Sequence, residues 1–360
     1  MTRWTATALV AFGLAACALP AAAQIAGERS FESPIPYFKD LQKWDMAYRA
    51  PRTPAGKPDL QGTWSIASLT TMTRPAEFKA LVIPQDRIDE LTFNSYYNTR
   101  MRNDNVQTDP NAGGGDGKGG GDVKGYNNFW IDPGSEYAKV NGEYRSSWIT
   151  SPAAGTVPFS AEGRAMRASR VNASRTTQNT GPELRSVGDR CLISFGSQAG
   201  PPLTNAMYNN HYQIVQTPDH VLIDVEMNHD ARIIRIDETK RLPSEVRRWF
   251  GDSVARWEGE TLVVETVNIH PTQERAGAYP ISDKGKVTER FTRVADDQLR
   301  YEFTVDDPKY YAGPWSGEIP LRRSKETIYE YACHEGNYAL PGILRGMAQG
   351  IDTAIESDGE

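Results

Sequence analysis

The sequence predicts a mainly β protein: an antiparallel meander that closes into a β-barrel, with a partly helical N-terminal and insert region. Between about residues 186 and 335, the runs "HYQIVQT", "HVLIDVEM", "ARIIRI", "VARWE", "TLVVETVNI", "KVTERFTRV", "LRYEFTV" and "TIYEYA" are short and rich in β-branched and aromatic residues. Turn signals such as "TPD", "EGE" and "ADD" separate most of them. Consecutive hairpins of this length must curl or close to hide their edges. No motif recurs at the ~40-residue period of a propeller blade, which makes a propeller the second choice.

Taken in chain order, residues 1–23 combine one arginine, an apolar stretch and a small-residue ending, the layout of an export signal. Cleavage after Ala23 gives a periplasmic or secreted product, while the lipobox-like "LAAC" offers Cys17 as a lipid anchor instead. No later stretch reaches the ~20 apolar residues of a membrane span. Residues 24–60 are polar and proline-dotted, an extended lead-in. Residues 61–185 hold a first barrel strand and then an insert, with helices expected in "PQDRIDELTFNSYYNTRM" and "AEGRAMRASR". The strand begins Gly62-Thr63-Trp64, which is similar to the Gly-x-Trp that opens lipocalin-like barrels, where the tryptophan plugs one end. An anchoring tryptophan in any β-domain would read the same. The stretch "NAGGGDGKGGGD" (111–122) cannot bury enough apolar area to offset its ordering entropy and predicts a flexible surface loop. It lacks the Gly-x4-Gly-Lys-Ser/Thr pattern of a phosphate loop. Residues 186–345 form the barrel domain and 346–360 a C-terminal tail.

A formal charge of -6 and a pI near 5.6 leave no basic stripe to neutralise phosphates, so nucleic acid is not an expected partner. With either processing route, Cys191 and Cys333 are the unmodified cysteines. In an oxidising compartment they are expected to form a disulfide, and closing so long a loop contributes on the order of 4 kcal/mol in the chain-entropy model. A thiol nucleophile is the competing reading, weakened by the ease with which exported thiols oxidise.

Alternation shows where polar groups point. In "LRYEFTV", Leu299, Tyr301, Phe303 and Val305 share a face opposite Arg300, Glu302 and Thr304. "KVTERFTRV" instead places Glu289 with Val287 and Phe291, and "TIYEYACHE" places Glu330 and His334 with Ile328 and Ala332. Carboxylates on an apolar face suggest a partly polar cavity, or equally a buried or edge salt bridge to an arginine such as Arg290 or Arg293.

The densest group of chemical side chains is "EMNHDAR". If Asn228, His229 and Asp230 form a three-residue turn, Glu226 and Arg232 lie opposite each other with His229 at the tip. This is either an ordinary cross-strand pair or an acid and base, Glu226 and His229, with Arg232 steadying a developing oxyanion. The five histidines show no His-x-His or His-Glu-x-x-His spacing, so no metal is expected beyond a site assembled from distant strands, such as His229, His334 and Glu226. Calcium loops and a Gly-x-Ser-x-Gly elbow are missing from the sequence, and "FGSQAG" has the wrong spacing. "DDPKYYAGPWSGEIP" (306–320) reads as an exposed loop offering Tyr310 and Trp315 as stacking surfaces, or as a loop packed down by its own rings.

Together "RCLISFGSQAGPP", "YQIVQTPDHVLIDVEMNHDARIIRID", "WFGDSVARWEGETLVVETVNI", "ERFTRVADDQLRYEFTVDDPKYYAGPW" and "IYEYACHEGNY" resemble a large, mostly uncharacterised family of exported bacterial β-rich proteins. The family pattern is similar to R-C-L-P-x-G-x-P, I-I-Q-T-P-D with E-x-x-H-x-x-R, W-E-G-D-T-L-V-V and a closing E-Y-x-C. The resemblance spans roughly 186–340. It sets Glu226, His229, Arg232, Trp257, Glu258, Glu289, Arg290, Asp307, Trp315, Glu330 and Cys333 on motif positions. Glu260 stands where the pattern has aspartate and Ile193 where it has proline. The resemblance implies export and a β-rich fold and names no activity.

The expected function is that of an exported enzyme acting on a small organic molecule, sugar-derived or aromatic, by cofactor-free, metal-independent acid/base chemistry of lyase or isomerase type. His229 is the expected base, Glu226 its partner or the acid, and Arg232 the stabiliser, with Glu289 and His334 as alternates. Trp257, Arg290, Tyr310, Trp315 and Glu330 are the expected ligand contacts. The rival expectations are a lipocalin-like carrier without turnover and a structural module of the envelope.

Overall fold

The strands follow one another around the barrel in nearly sequential order. The computed structural model describes residues 43–45, 47–99, 133–176, 181–194, 198, 200–276 and 279–348, all within one unit, Ser33–Glu360. The expected export signal with Cys17, the glycine-rich loop 111–122 and most of the tail 346–360 lie outside the described residues. The strands are β1 (Gly62–Ser65), β2 (Val82–Ile83), β3 (Lys139–Val140), β4 (Glu143–Arg145), β5 (Ile149–Ser151), β6 (His211–Gln216), β7 (His220–Val225), β8 (Asp230–Ile236), β9 (Asp252–Glu258), β10 (Thr261–Val267), β11 (Lys286–Ala295), β12 (Gln298–Asp306) and β13 (Trp315–Arg323). β1 and β6 to β13 form the barrel in the order β1-β6-β7-β8-β9-β10-β11-β12-β13, and β13 pairs back onto β1. β5 adds to β13 from outside, while β2, β4 and β3 make a small separate sheet in the insert. The two expected helices appear at Ile88–Phe93 and Ala161–Thr176. Among the described residues, no helix is long and apolar enough to cross a membrane.

A ring in which every strand is antiparallel to both neighbours needs an even number of strands. This barrel has nine, and the parity is met by one parallel junction, β8 with β9, where Arg235 lies beside Val254 and Ile236 beside Ala255. The predicted meander holds everywhere else around the ring.

Two segments differ from the sequence expectation. Residues 315–323, read as part of an aromatic loop, are the closing strand β13, and 327–332, "TIYEYA", is not a strand. Pro320 cannot donate to a ladder, which by itself disfavours a strand. Its nitrogen points to the same side of β13 as that of Glu318, which donates to the Trp148 carbonyl at 3.0 Å. On that side the pairing with β5 ends at Gly317 and the pairing with β1 begins at Arg322, so no ladder bond needs a donor at Pro320. Once β13 has closed on β1, no edge remains for "TIYEYA", whatever its β propensity.

The interior follows the alternation. Leu299, Tyr301, Phe303 and Val305 are buried, and Tyr301 and Phe303 form a continuous aromatic cluster with Phe291, Tyr311 and Trp315. Trp64 closes one end: it is fully buried, its Nε1 donates to the Leu60 carbonyl at 2.9 Å, and the guanidiniums of Arg293 and Arg323 sit 5.9 and 5.5 Å from its ring. The opposite end, at His211, Glu226 and Asp230, receives a piece of the chain's own backbone. Leu203 is fully buried and its N–H donates to the Tyr301 hydroxyl at 2.9 Å, while the Tyr212 hydroxyl lies 2.9 and 3.0 Å from the carbonyls of Gln198 and Thr204. The segment before β6 thus enters the barrel from that end and satisfies its polar groups there.

Candidate functional site

The β7–β8 hairpin sets Val225 opposite Asp230 and Ile223 opposite Arg232. Its turn is therefore four residues, Glu226 to His229, with Asn228 (φ 64) and His229 (φ 52) in the left-handed region. This corrects the expected three-residue turn and the facing of Glu226 and Arg232, because a shift in register reassigns cross-strand partners and faces. The side chains of Glu226, His229 and Arg232 go to three different places.

Arg232 points into the barrel and grips Glu289 with both guanidinium ends, at 3.0 and 2.5 Å, with side chains 1% and 0% exposed. The Tyr301 hydroxyl donates to the same carboxylate at 2.9 Å. Burial works against the Arg232 cation, but the charge and hydrogen bonds of Glu289 more than offset it, and its pKa is raised. Burial, reinforced by the Glu289 charge, pushes the Tyr301 phenol well above its usual range. This network is sealed by its own partners and holds the middle of the barrel together.

Glu226 turns instead toward a cleft of about 1020 Å³ outside the barrel. One wall is the start of β6, with Tyr208 and His211. A second is the C-terminal segment around Tyr329 and Tyr331, and a third is the stretch around Arg185 and Asp189. The ring of His211, 8% exposed, places Nδ1 2.9 Å from Glu226 Oε2. The same carboxylate accepts the His211 N–H on Oε2 and the Tyr329 N–H on Oε1, both at 3.3 Å. With both oxygens engaged, Glu226 is placed to orient the His211 ring. A carboxylate at Nδ1 places the imidazole proton there and makes Nε2 the basic nitrogen. His229 Nε2 accepts the Tyr331 N–H at 3.0 Å. Glu226 and His229 thus fasten alternate residues of one extended segment, and the Cys191–Cys333 disulfide, Cα atoms 5.6 Å apart, fastens the next alternate position. The Tyr331 hydroxyl is hydrogen-bonded to Tyr208, and burial together with that neighbour pushes its pKa up to about 12.

No protein-family model matches this chain. No curated protein matches it either. Among solved structures it is similar to a secretary abundant heat soluble (SAHS) protein from Ramazzottius varieornatus, at 13% identity and a TM-score of 0.21, over 32% of this chain and 70% of that one. It is also similar to a mutant of the fluorescent protein UnaG, at 18% identity and a TM-score of 0.20, over 32% of this chain and 72% of that one.

Of the residues singled out from sequence, the cleft gathers Glu226, Glu330 and Cys333, with His229 fastening its rim. Arg232 and Glu289 lie in the barrel core, and Trp315 is buried in the aromatic cluster. Trp257 packs against the core from β9. Tyr310 is buried in the β12–β13 connection with Lys309 Nζ 4.9 Å from its ring centroid. Arg290 stands on the outer face, paired with Glu258 at 3.0 Å, and His334 is exposed on the C-terminal segment. His229, His334 and Glu226 form no metal-binding group among the described residues. His211, Tyr208 and Tyr331 were missed. His211 was within reach: a tight turn at "TPD" pairs Tyr212 with Val225, and one step outward brings His211 beside Glu226.

Proposed function

We propose that this protein is exported and binds a small organic molecule in the cleft between the β6 end of the barrel and the C-terminal segment. The observation that carries the reading is a cleft of about 1020 Å³ combining the tyrosines 208, 329 and 331 with the buried Glu226–His211 pair. Aromatic walls with a few fixed polar groups are what a small-molecule site requires. The export reading is supported by the signal-like N-terminus and by the Cys191–Cys333 disulfide. The binding surface is this outer cleft rather than the barrel lumen, because buried side chains and the segment around Leu203 occupy the lumen. Calorimetric titration with a panel of aromatic amines, alcohols and acids tests it. One-to-one binding by at least one member, weakened in Tyr329→Ala and Tyr331→Ala with Tm unchanged, is the expected result. No saturable binding, or binding that ignores both substitutions, defeats it.

A second reading has its own observation, the buried carboxylate that fixes His211 through Nδ1. A carboxylate-held histidine is the arrangement used in general base catalysis of the lyase or isomerase kind, and here it requires the bound ligand to uncover the buried His211 Nε2. Mass spectrometry of a bound ligand after incubation decides it: conversion by the wild type and none by His211→Gln supports turnover. An unchanged ligand recovered from both leaves a carrier.

A further inference from the structure

The charges around the cleft are one-sided. Five carboxylates line it, those of Asp189, Glu226, Glu326, Glu330 and Glu335, against a single guanidinium, Arg185. That guanidinium is held by Asp189 at 3.0 Å and so turns little positive charge toward a ligand. The whole 360-residue chain carries a formal charge of -6, so an excess of four negative charges on one concave surface is most of the net charge of the protein. Among the described residues, Glu326, Glu330 and Glu335 have no lysine or arginine within ion-pairing distance. A concave wall of one sign concentrates its field on whatever enters.

The aromatic component points the same way. Tyr208, Tyr329 and Tyr331 stand in the cleft beside these carboxylates. Phenol rings present a negative face, which attracts an ammonium group as well as an apolar body. Met207, Leu340 and Ile343 supply apolar surface for the remainder of such a molecule. A carboxylate or phosphate ligand would meet repulsion from most of the wall and find its one cationic partner already engaged.

Building on the proposed small-molecule cleft, we infer that its ligand is an organic cation: an amine carried on an aromatic or aliphatic body, the ammonium among the carboxylates and the body against the tyrosines. The ligand class is chosen by the carboxylate excess and the site itself by the aromatic-walled cleft.

The test is calorimetric titration of the full mature protein with 2-phenylethylammonium, 2-phenylethanol and phenylacetate, at low and at high ionic strength. The same titrations are run on the Glu330→Gln/Glu335→Gln double variant, whose two positions are exposed, so the fold is undisturbed. The amine is expected to bind about tenfold more tightly than the alcohol at low salt, with the acid weakest, and added salt should erase most of that advantage. The double substitution should cut the amine advantage several-fold and leave the alcohol unchanged. Equal binding of amine and alcohol overturns the cation inference and leaves the small-molecule cleft standing. Preference for the acid overturns it as well, as does an amine advantage that the double variant retains. Saturable binding of none of the three defeats both readings.

Discussion

Glu289 and Arg232 show what a single buried charge demands. Each is almost fully enclosed, and each is tolerable because the other neutralises it. Replacing Glu289 with leucine keeps the volume and leaves a guanidinium without its counter-ion in the barrel core. The expected cost is about 3–5 kcal/mol in urea unfolding, most of which should return in the Arg232→Met/Glu289→Leu double variant. A double variant as unstable as the single one would show that the pair contributes more than mutual neutralisation. Asp230 gives a pH test. Burial raises its carboxyl pKa, although the Ser194 N–H at 2.6 Å and the Asn228 amide at 3.3 Å favour the ionised form. A raised acid favours the fold while protonated, so its contribution is full below the unfolded pKa and lost as pH rises through the folded one. Asp230→Asn removes that loss. Its melting temperature relative to wild type should therefore climb between pH 4 and 7, and a flat difference would contradict the assignment. At this scale the sequence was partly legible: alternation marked Glu289 as a carboxylate on an apolar face, but its partner 57 residues away was chosen by packing.

At the scale of elements, the Glu-x-x-His-x-x-Arg run becomes a set of fasteners between elements. Glu226 and His229 reach across to the backbone of Tyr329 and Tyr331, and this explains how a segment without strand partners keeps its place. The prediction is specific to one amide. His229→Asn, chosen because asparagine tolerates the left-handed backbone at this position, should speed hydrogen exchange at Tyr331 several-fold, as loss of about 1 kcal/mol implies. Amides in β11 and β12 should be unchanged, and an unaltered Tyr331 rate would remove His229 from the clamp. The same segment explains why the strand prediction failed here. "TIYEYA" has the composition of a strand, and "WSGEIPLRR" carries a glycine and a proline that count against one. The latter is nevertheless the closing strand, because Phe303 fills the space over Gly317 and the Pro320 nitrogen faces an unpaired stretch. Neither condition is visible in local composition.

For the whole molecule, the decisive link joins Cys191 to Cys333 across 142 residues. The enclosed loop contains β6 to β13, eight of the nine barrel strands, and the same bond joins two walls of the cleft. Converting both cysteines to serine is expected to lower unfolding free energy by about 2–5 kcal/mol, because the released chain gains loop freedom chiefly when unfolded. It should also weaken the proposed ligand binding in the cleft at temperatures where the barrel remains folded. An unchanged urea midpoint would show that the closed barrel alone holds both ends. The sequence by itself determined the β class, the sheet run from residue 211 onward, the inward face of "LRYEFTV" and the pairing of the cysteines. These follow from period-two alternation, turn residues and the compartment that the N-terminus leads one to expect, all of which are local or compositional. Only the tertiary structure decided which strand closes the barrel, that one junction is parallel, that Arg232 serves the core and that Glu226 serves His211. Each of these depends on register and on partners far away in the chain, where a shift of one residue turns a side chain to the other face and leaves the local sequence pattern unaltered.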